Sequence, residues 1–166
     1  MSLIENIVSK VKPHNPQGEV RVVDRSPLNW LYITYNTVEE LIRTDEQGRI
    51  TPAAMKTFQW IDDLTLEIAI RDDEVFQDGE KLTSKSVKQS FDEMMRWRSP
   101  HPPGTQFNHP AGTKMEIVDE FKVRMKFPEP DGLAVGKFRA MHRMNSNFWK
   151  TTGFGYKRNG SGEGHW

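Results

Sequence analysis

Five histidines, a cluster of carboxylates and a serine set between glycines are the residues of this chain whose types could do chemistry. The histidines are His14, His101, His109, His142 and His165. None stands at helical ligand spacing from another, and no His-Glu-x-x-His or Cys-x-x-Cys frame occurs. They read as scattered surface histidines. His101 and His109 could meet across one loop, but no third ligand lies nearby in sequence. The carboxylates Asp62, Asp63, Asp72, Asp73, Glu74 and Asp78 fall in turns at strand ends. Their spacing does not match a calcium loop, so solvated turns are the reading. Gly160-Ser161-Gly162 lacks the Gly-x-Ser-x-Gly frame of a nucleophile elbow and has no strand feeding it. Gly153, Gly155, Gly160, Gly162 and Gly164 match neither phosphate-loop spacing. No catalytic residue, metal or resident cofactor is expected from these patterns.

Composition narrows the classes further. Lysine plus arginine and aspartate plus glutamate number 23 each, so the formal charge is zero. A nucleic-acid binder usually carries a basic excess, which this chain lacks. Its 166 residues suit one domain with tails. Apolar residues make up 36%, a low share that implies long polar loops or a surface lacking its native cover. There is no cysteine, hence no disulfide or thiolate chemistry. No apolar run reaches the roughly 18–20 residues of a membrane helix. Met1 to Ile4 lacks the basic-then-apolar pattern of a signal segment.

The elements that must position any site can be read from periodicity. Residues 1–18 form a weakly structured leader. Glu19 to Asp24 alternates as a strand, and Ser26-Pro27 starts a helix running to Arg43 on the spacing of Leu31, Tyr35, Val38, Leu41 and Ile42. Asp45 to Gly48 is a turn, and Pro52 to Met55 one helical turn. Phe58 to Ile61 is a short strand, turned at Asp62-Asp63 into an alternating strand of Leu64, Leu66, Ile68 and Ile70. Phe76-Gln77-Asp78-Gly79 is a tight turn. Thr83 caps a helix from Ser84 to Trp97 with Val87, Phe91, Met94 and Met95 on its apolar face. Arg98 to Thr113 is a long proline-rich loop. Met115 to Val118 and Phe121 to Phe127 form a hairpin around Asp119-Glu120, and Leu133 to Arg143 is a helix candidate. The rest is an aperiodic tail. Trp30, Trp60 and Trp97 read as core or core-edge residues, whereas Trp149 and Trp166 belong to the glycine- and aromatic-rich tail. About five strands and three helices give an α+β fold, with helices packed on a largely antiparallel sheet.

The run Asp62-Asp63-Leu64-Thr65-Leu66-Glu67-Ile68-Ala69-Ile70-Arg71, the turn Val75 to Thr83 and the helix from Ser84 to Met95 resemble bacterial extracellular solute-binding proteins of family 5. Glu40-Leu41-Ile42 through Gly48, Ile50, Pro52 and Ala53 resembles the family's first helix and the link that follows. Ser86, where an acidic residue is common, and Met55, where alanine is usual, depart from the pattern, and Asp119-Glu120-Phe121 is a compact version of the family's hairpin. The resemblance implies a periplasmic-binding-protein-like fold with two lobes closing on a solute. It implies a chain divided as 1–18 leader, 19–43 lobe I strand and helix, 44–150 small α+β subdomain, and 151–166 tail returning to lobe I. An N-terminal fragment of such a receptor is therefore expected.

The function this implies for the full-length protein is capture of a solute for an ABC permease: an oligopeptide, a nickel chelate or a sugar. The protein would be exported to the periplasm or cell surface, with the signal segment absent from this sequence. Ser26, Asn29, His165 and Trp166 are the residues expected to face the ligand cleft. Uncovered apolar surface would favour self-association. Two other readings stand beside this one. The first is a small hydrolase using Ser161 or His165. The second is a partner-binding structural domain with no small ligand.

Overall fold

The computed structural model describes residues 17–21, 37–95 and 108–151. Within them the chain is α+β. A short hairpin pairs β1 (Ile42–Thr44) with β2 (Ile50–Pro52). Its turn is built by Asp45, whose Oδ1 accepts the N–H groups of Gln47 (3.0 Å) and Arg49 (2.9 Å). Gly48 takes φ 77° there, a region that favours a residue without Cβ. The Arg49 N–H, with the Arg49 guanidinium and the Gln47 N–H, holds the Asp45 carboxyl below its usual range.

The main sheet contains β3 (Met55–Asp62), β4 (Thr65–Ile70), β5 (Lys114–Asp119) and β6 (Lys122–Lys126) in the order β3-β4-β6-β5, all antiparallel. Period-two patterning sets its register. Leu66 sits between Trp60 and Met125, and Ile68 between Phe58 and Val123. One face therefore collects Leu66, Ile68, Ile70, Val123, Met125 and Met115, all buried. Helix α1 (Ser84–Met94) lays Val87, Phe91 and Met94 over β5 and β6, as its spacing predicts. Ser86 replaces the usual acid by accepting the Thr83 N–H at its own hydroxyl, 3.2 Å away.

The opposite sheet face is a ladder of charges. Glu67 lies between Gln59 and Arg124, and Arg124 faces Glu116. Glu67 accepts from Arg124 at 2.7 Å and lies 3.2 Å from Lys122. These two cations, Arg124 first, hold its carboxyl below the usual range. Its contribution to stability is therefore present above the unfolded carboxylate pKa and lost as pH falls through the lower folded pKa. Wild type should lose its advantage over Glu67→Gln below about pH 4. Urea midpoints of the two proteins, measured from neutral to acidic pH, check this; a gap that widens on acidification contradicts it.

Several boundaries differ from the sequence reading. The helix expected over Pro27 to Arg43 does not reach its end: Glu40 makes a strand bridge and Ile42 opens β1. Leu41 and Ile42 are both buried, and the Leu41 carbonyl accepts from Ala53 (3.3 Å) and Met55 (2.8 Å), so pairing outweighs the helical period. The same bonds make Pro52 to Met55 a bend between strands, not a helical turn. Residues 19–21 form no strand, and Val20 is 89% exposed. The β3–β4 turn falls on Asp63-Leu64, fastened by Asp62 Oδ1 accepting the Leu64 N–H, so Leu64 leaves the buried row. Phe121 likewise belongs to the β5–β6 turn. Of Leu133 to Arg143 only α2 (Ala134–Lys137) is α-helical, followed by a 3-10 turn (Phe138–Ala140). Part of the tail read as aperiodic is helical, α3 (Ser146–Thr151), with Asn145 Oδ1 accepting the Phe148 N–H at 2.7 Å.

Candidate functional site at the strand crossing

Residues 37–41, before the α+β unit, and 141–146, after it, run side by side. Glu40 pairs antiparallel with His142, and the Arg143 N–H donates to the Glu39 carbonyl at 3.2 Å. The unit between them thus begins and ends on neighbouring extended segments.

The turn from Glu74 to Glu80 clamps this crossing. Gly79, at φ 87°, lets the chain reverse, and Asp78 Oδ1 accepts the Glu80 N–H at 3.1 Å. The remaining polar atoms of the turn reach outward. Gln77 Nε2 donates to the Thr37 carbonyl at 2.8 Å, and Asn145 Nδ2 donates to Asp78 Oδ2 at 2.7 Å. The Glu80 carboxylate accepts the Ser146 N–H (3.2 and 3.1 Å) and the Ser146 hydroxyl. Glu74 accepts from Arg143 at 2.5 Å and lies 3.4 Å from Arg71. Arg143 donates its other terminal nitrogen to Glu39 at 2.6 Å. From α1, the Ser90 hydroxyl accepts the Met144 N–H at 3.0 Å.

Beneath these contacts Glu40 is fully buried, its Oε1 3.6 Å from His142 Nε2. His142 and His109 are both 5% exposed, which corrects the reading of scattered surface histidines. His109 packs among Phe91, Phe127 and Phe138, with ring centroids 5.2–6.1 Å away. The acidic cluster also divides. Asp73 stays at the surface, its carboxyl held below the usual range by the Arg71 guanidinium, while Glu74 joins the clamp.

A groove of about 530 Å³ opens beside the clamp, bordered by Glu80, Thr83, Ser86, Gln89, Trp149 and Lys150. Among the described residues no three His, Asp or Glu side chains gather as metal ligands. Trp149 is buried against Phe148 at the groove wall, placing one of the two tail tryptophans. The expected cleft residues Ser26, Asn29, His165 and Trp166 lie outside the described residues, as does Ser161. The clamp was missed from sequence. Its one legible signal was the acid-rich Glu74 to Glu80 turn, answered by His142-Arg143 far along the chain.

Comparison with known proteins gives this geometry its context. Over 64 residues the chain is 36% identical to a nickel-binding protein, NikA of Staphylococcus aureus, a stretch that is 39% of this chain and 13% of that protein. The crystal structure of S. aureus NikA with Ni(L-His)2 superposes with a TM-score of 0.58 at 24% identity, covering 67% of this chain and 23% of that one. OppA of Haemophilus influenzae, in complex with the peptide RPPGFSPFR, superposes at 0.62 with 15% identity, covering 76% and 28%. Both share the α+β fold, and this chain spans about a quarter of their length. The profile of bacterial extracellular solute-binding proteins, family 5 Middle, matches residues 49–165. With most of its length inside that match, the chain belongs to the family 5 bacterial extracellular solute-binding proteins.

Proposed function

We propose that this chain captures a small solute outside the cytoplasm and serves an ABC permease as part of the receptor. The observation that carries this reading is the family match over residues 49–165. It sets the chain among binding proteins and displaces the hydrolase built on Ser161 or His165, as well as a structural domain without a ligand. Among the described residues no helix is long and apolar enough to cross a membrane.

Among solutes, a nickel chelate is favoured over an oligopeptide or a sugar. The support is the 36% identity over 64 residues to a nickel-binding protein. Ser26, Asn29, His165 and Trp166 remain the proposed ligand contacts, with the His165 imidazole suited to a nickel complex.

Thermal unfolding of the purified protein tests the solute class. Nickel with excess L-histidine should stabilise it by about 2.7 kcal/mol at about a hundred times its Kd. His165→Ala should reduce that gain and leave the unliganded midpoint unchanged. Stabilisation by a nonapeptide or an oligosaccharide instead would overturn the nickel reading and keep the receptor. Stabilisation by none of the three would count against both.

A further inference from the structure

We infer that the β3 edge is a pairing surface for a second copy of this chain. β3 is the longest strand of the sheet and lies at its border; among the described residues it pairs with β4 alone. Every residue from Lys56 to Asp62 is exposed, including Phe58 at 44%, Trp60 at 38% and Ile61 at 53%. Phe58 and Trp60 belong to the core-facing side by register, opposite Ile68 and Leu66. They stay exposed because α1 stands over β5 and β6, at the other side of the sheet. Leu64, 39% exposed in the adjoining turn, extends the apolar strip. A bordering strand of this length, with aromatic side chains and unused backbone groups, is a template for strand addition.

The strand's own charges select the occupant. In an antiparallel pair of β3 strands centred on Gln59, Lys56 stands opposite Asp62 of the second copy at both ends. Phe58 stands opposite Trp60, and Gln59 opposite itself. Cross-strand pairs of opposite charge and of aromatic rings are the combinations that stabilise a sheet. Lys56 forms no close ion pair among the described residues, although its charge reaches Asp73, and Asp62 engages Oδ1 with the Leu64 N–H at 2.8 Å. An in-register parallel arrangement sets Lys56 against Lys56 and loses this complementarity. The two-fold pair also closes on itself, because each copy uses its β3 edge once.

Sedimentation equilibrium of the full chain over a range of concentrations tests the pairing. The expected result is a reversible monomer–dimer equilibrium. Lys56→Asp alone, or Asp62→Lys alone, should weaken the dimer about tenfold, because each places two like-charged pairs across the interface. The double variant Lys56→Asp/Asp62→Lys should return to within about threefold of wild type, since the opposite charges face each other again. Phe58→Ser should weaken the dimer without changing the far-ultraviolet circular dichroism of the monomer. A monomer at every concentration overturns the proposal. So does a dimer indifferent to both single reversals, or a double variant no better than the singles.

Discussion

Phe91→Ala should lower the unfolding free energy by about 3–5 kcal/mol. Phe91 is 1% exposed on the inner face of α1 and belongs to the core cluster with Met115, Val123 and Met125. Its ring also stands 5.8 Å from that of His109, which in turn packs on Phe127 and Phe138. Truncation removes apolar burial and opens a cavity against an imidazole, so the surroundings cannot close over it with apolar side chains alone. A domain of this kind holds only about 5–15 kcal/mol in total, and a loss of this size brings it near its unfolding threshold. Phe91→Leu, which keeps most of the volume, should cost under about 1.5 kcal/mol. Urea unfolding with an unchanged m-value separates the two. Equal, small losses from both variants would contradict the placement of Phe91 at the centre of the core.

Arg143→Ala is expected to cost about 2–3 kcal/mol, below the full penalty for splitting a buried ion pair. The reason lies in its two partners. The Arg143 side chain is only 6% exposed, but Glu39 is 52% exposed and Glu74 is 18% exposed. Glu39 would rehydrate, and Glu74 would keep Arg71 beside it. The cost falls on Glu74 and on the space that the guanidinium filled. Glu39→Gln should accordingly cost under about 1 kcal/mol. Amide hydrogen exchange in Arg143→Ala should accelerate at residues 39–42 and 142–146, with the main sheet unaffected. Acceleration spread evenly through the sheet would show that the crossing is no separate clamp.

The parts of this fold legible in the sequence are those whose pairing is local. Leu66, Ile68 and Ile70 alternate over β4, and Val123 and Met125 over β6, so period two reports burial directly in these strands. Thr83 followed by Val87, Phe91 and Met94 marks α1 for the same reason. The crossing was illegible because its partners are about a hundred residues apart. Leu41-Ile42 carries a local helical period but is held extended by residues 52–55, while Glu40 bridges His142. Glu40 and His142 look like surface charges until their bridge buries them. Gln77, Asp78 and Glu80 read as turn formers, and the turn is indeed theirs. Their outward bonds to Thr37, Asn145 and Ser146 have no sequence signature.

The family resemblance located the chain correctly from the Phe76 to Gly79 turn and the strand before it. The structure adds a physical account of that turn. It reverses the chain and also ties together the two segments that flank the α+β unit.

Titration calorimetry of the purified protein with nickel and L-histidine tests the receptor reading most directly. The account predicts saturable heat from a single site, with no turnover of any solute. Absence of binding to nickel–histidine, peptide and sugar alike, together with ester hydrolysis abolished by Ser161→Ala, would contradict it.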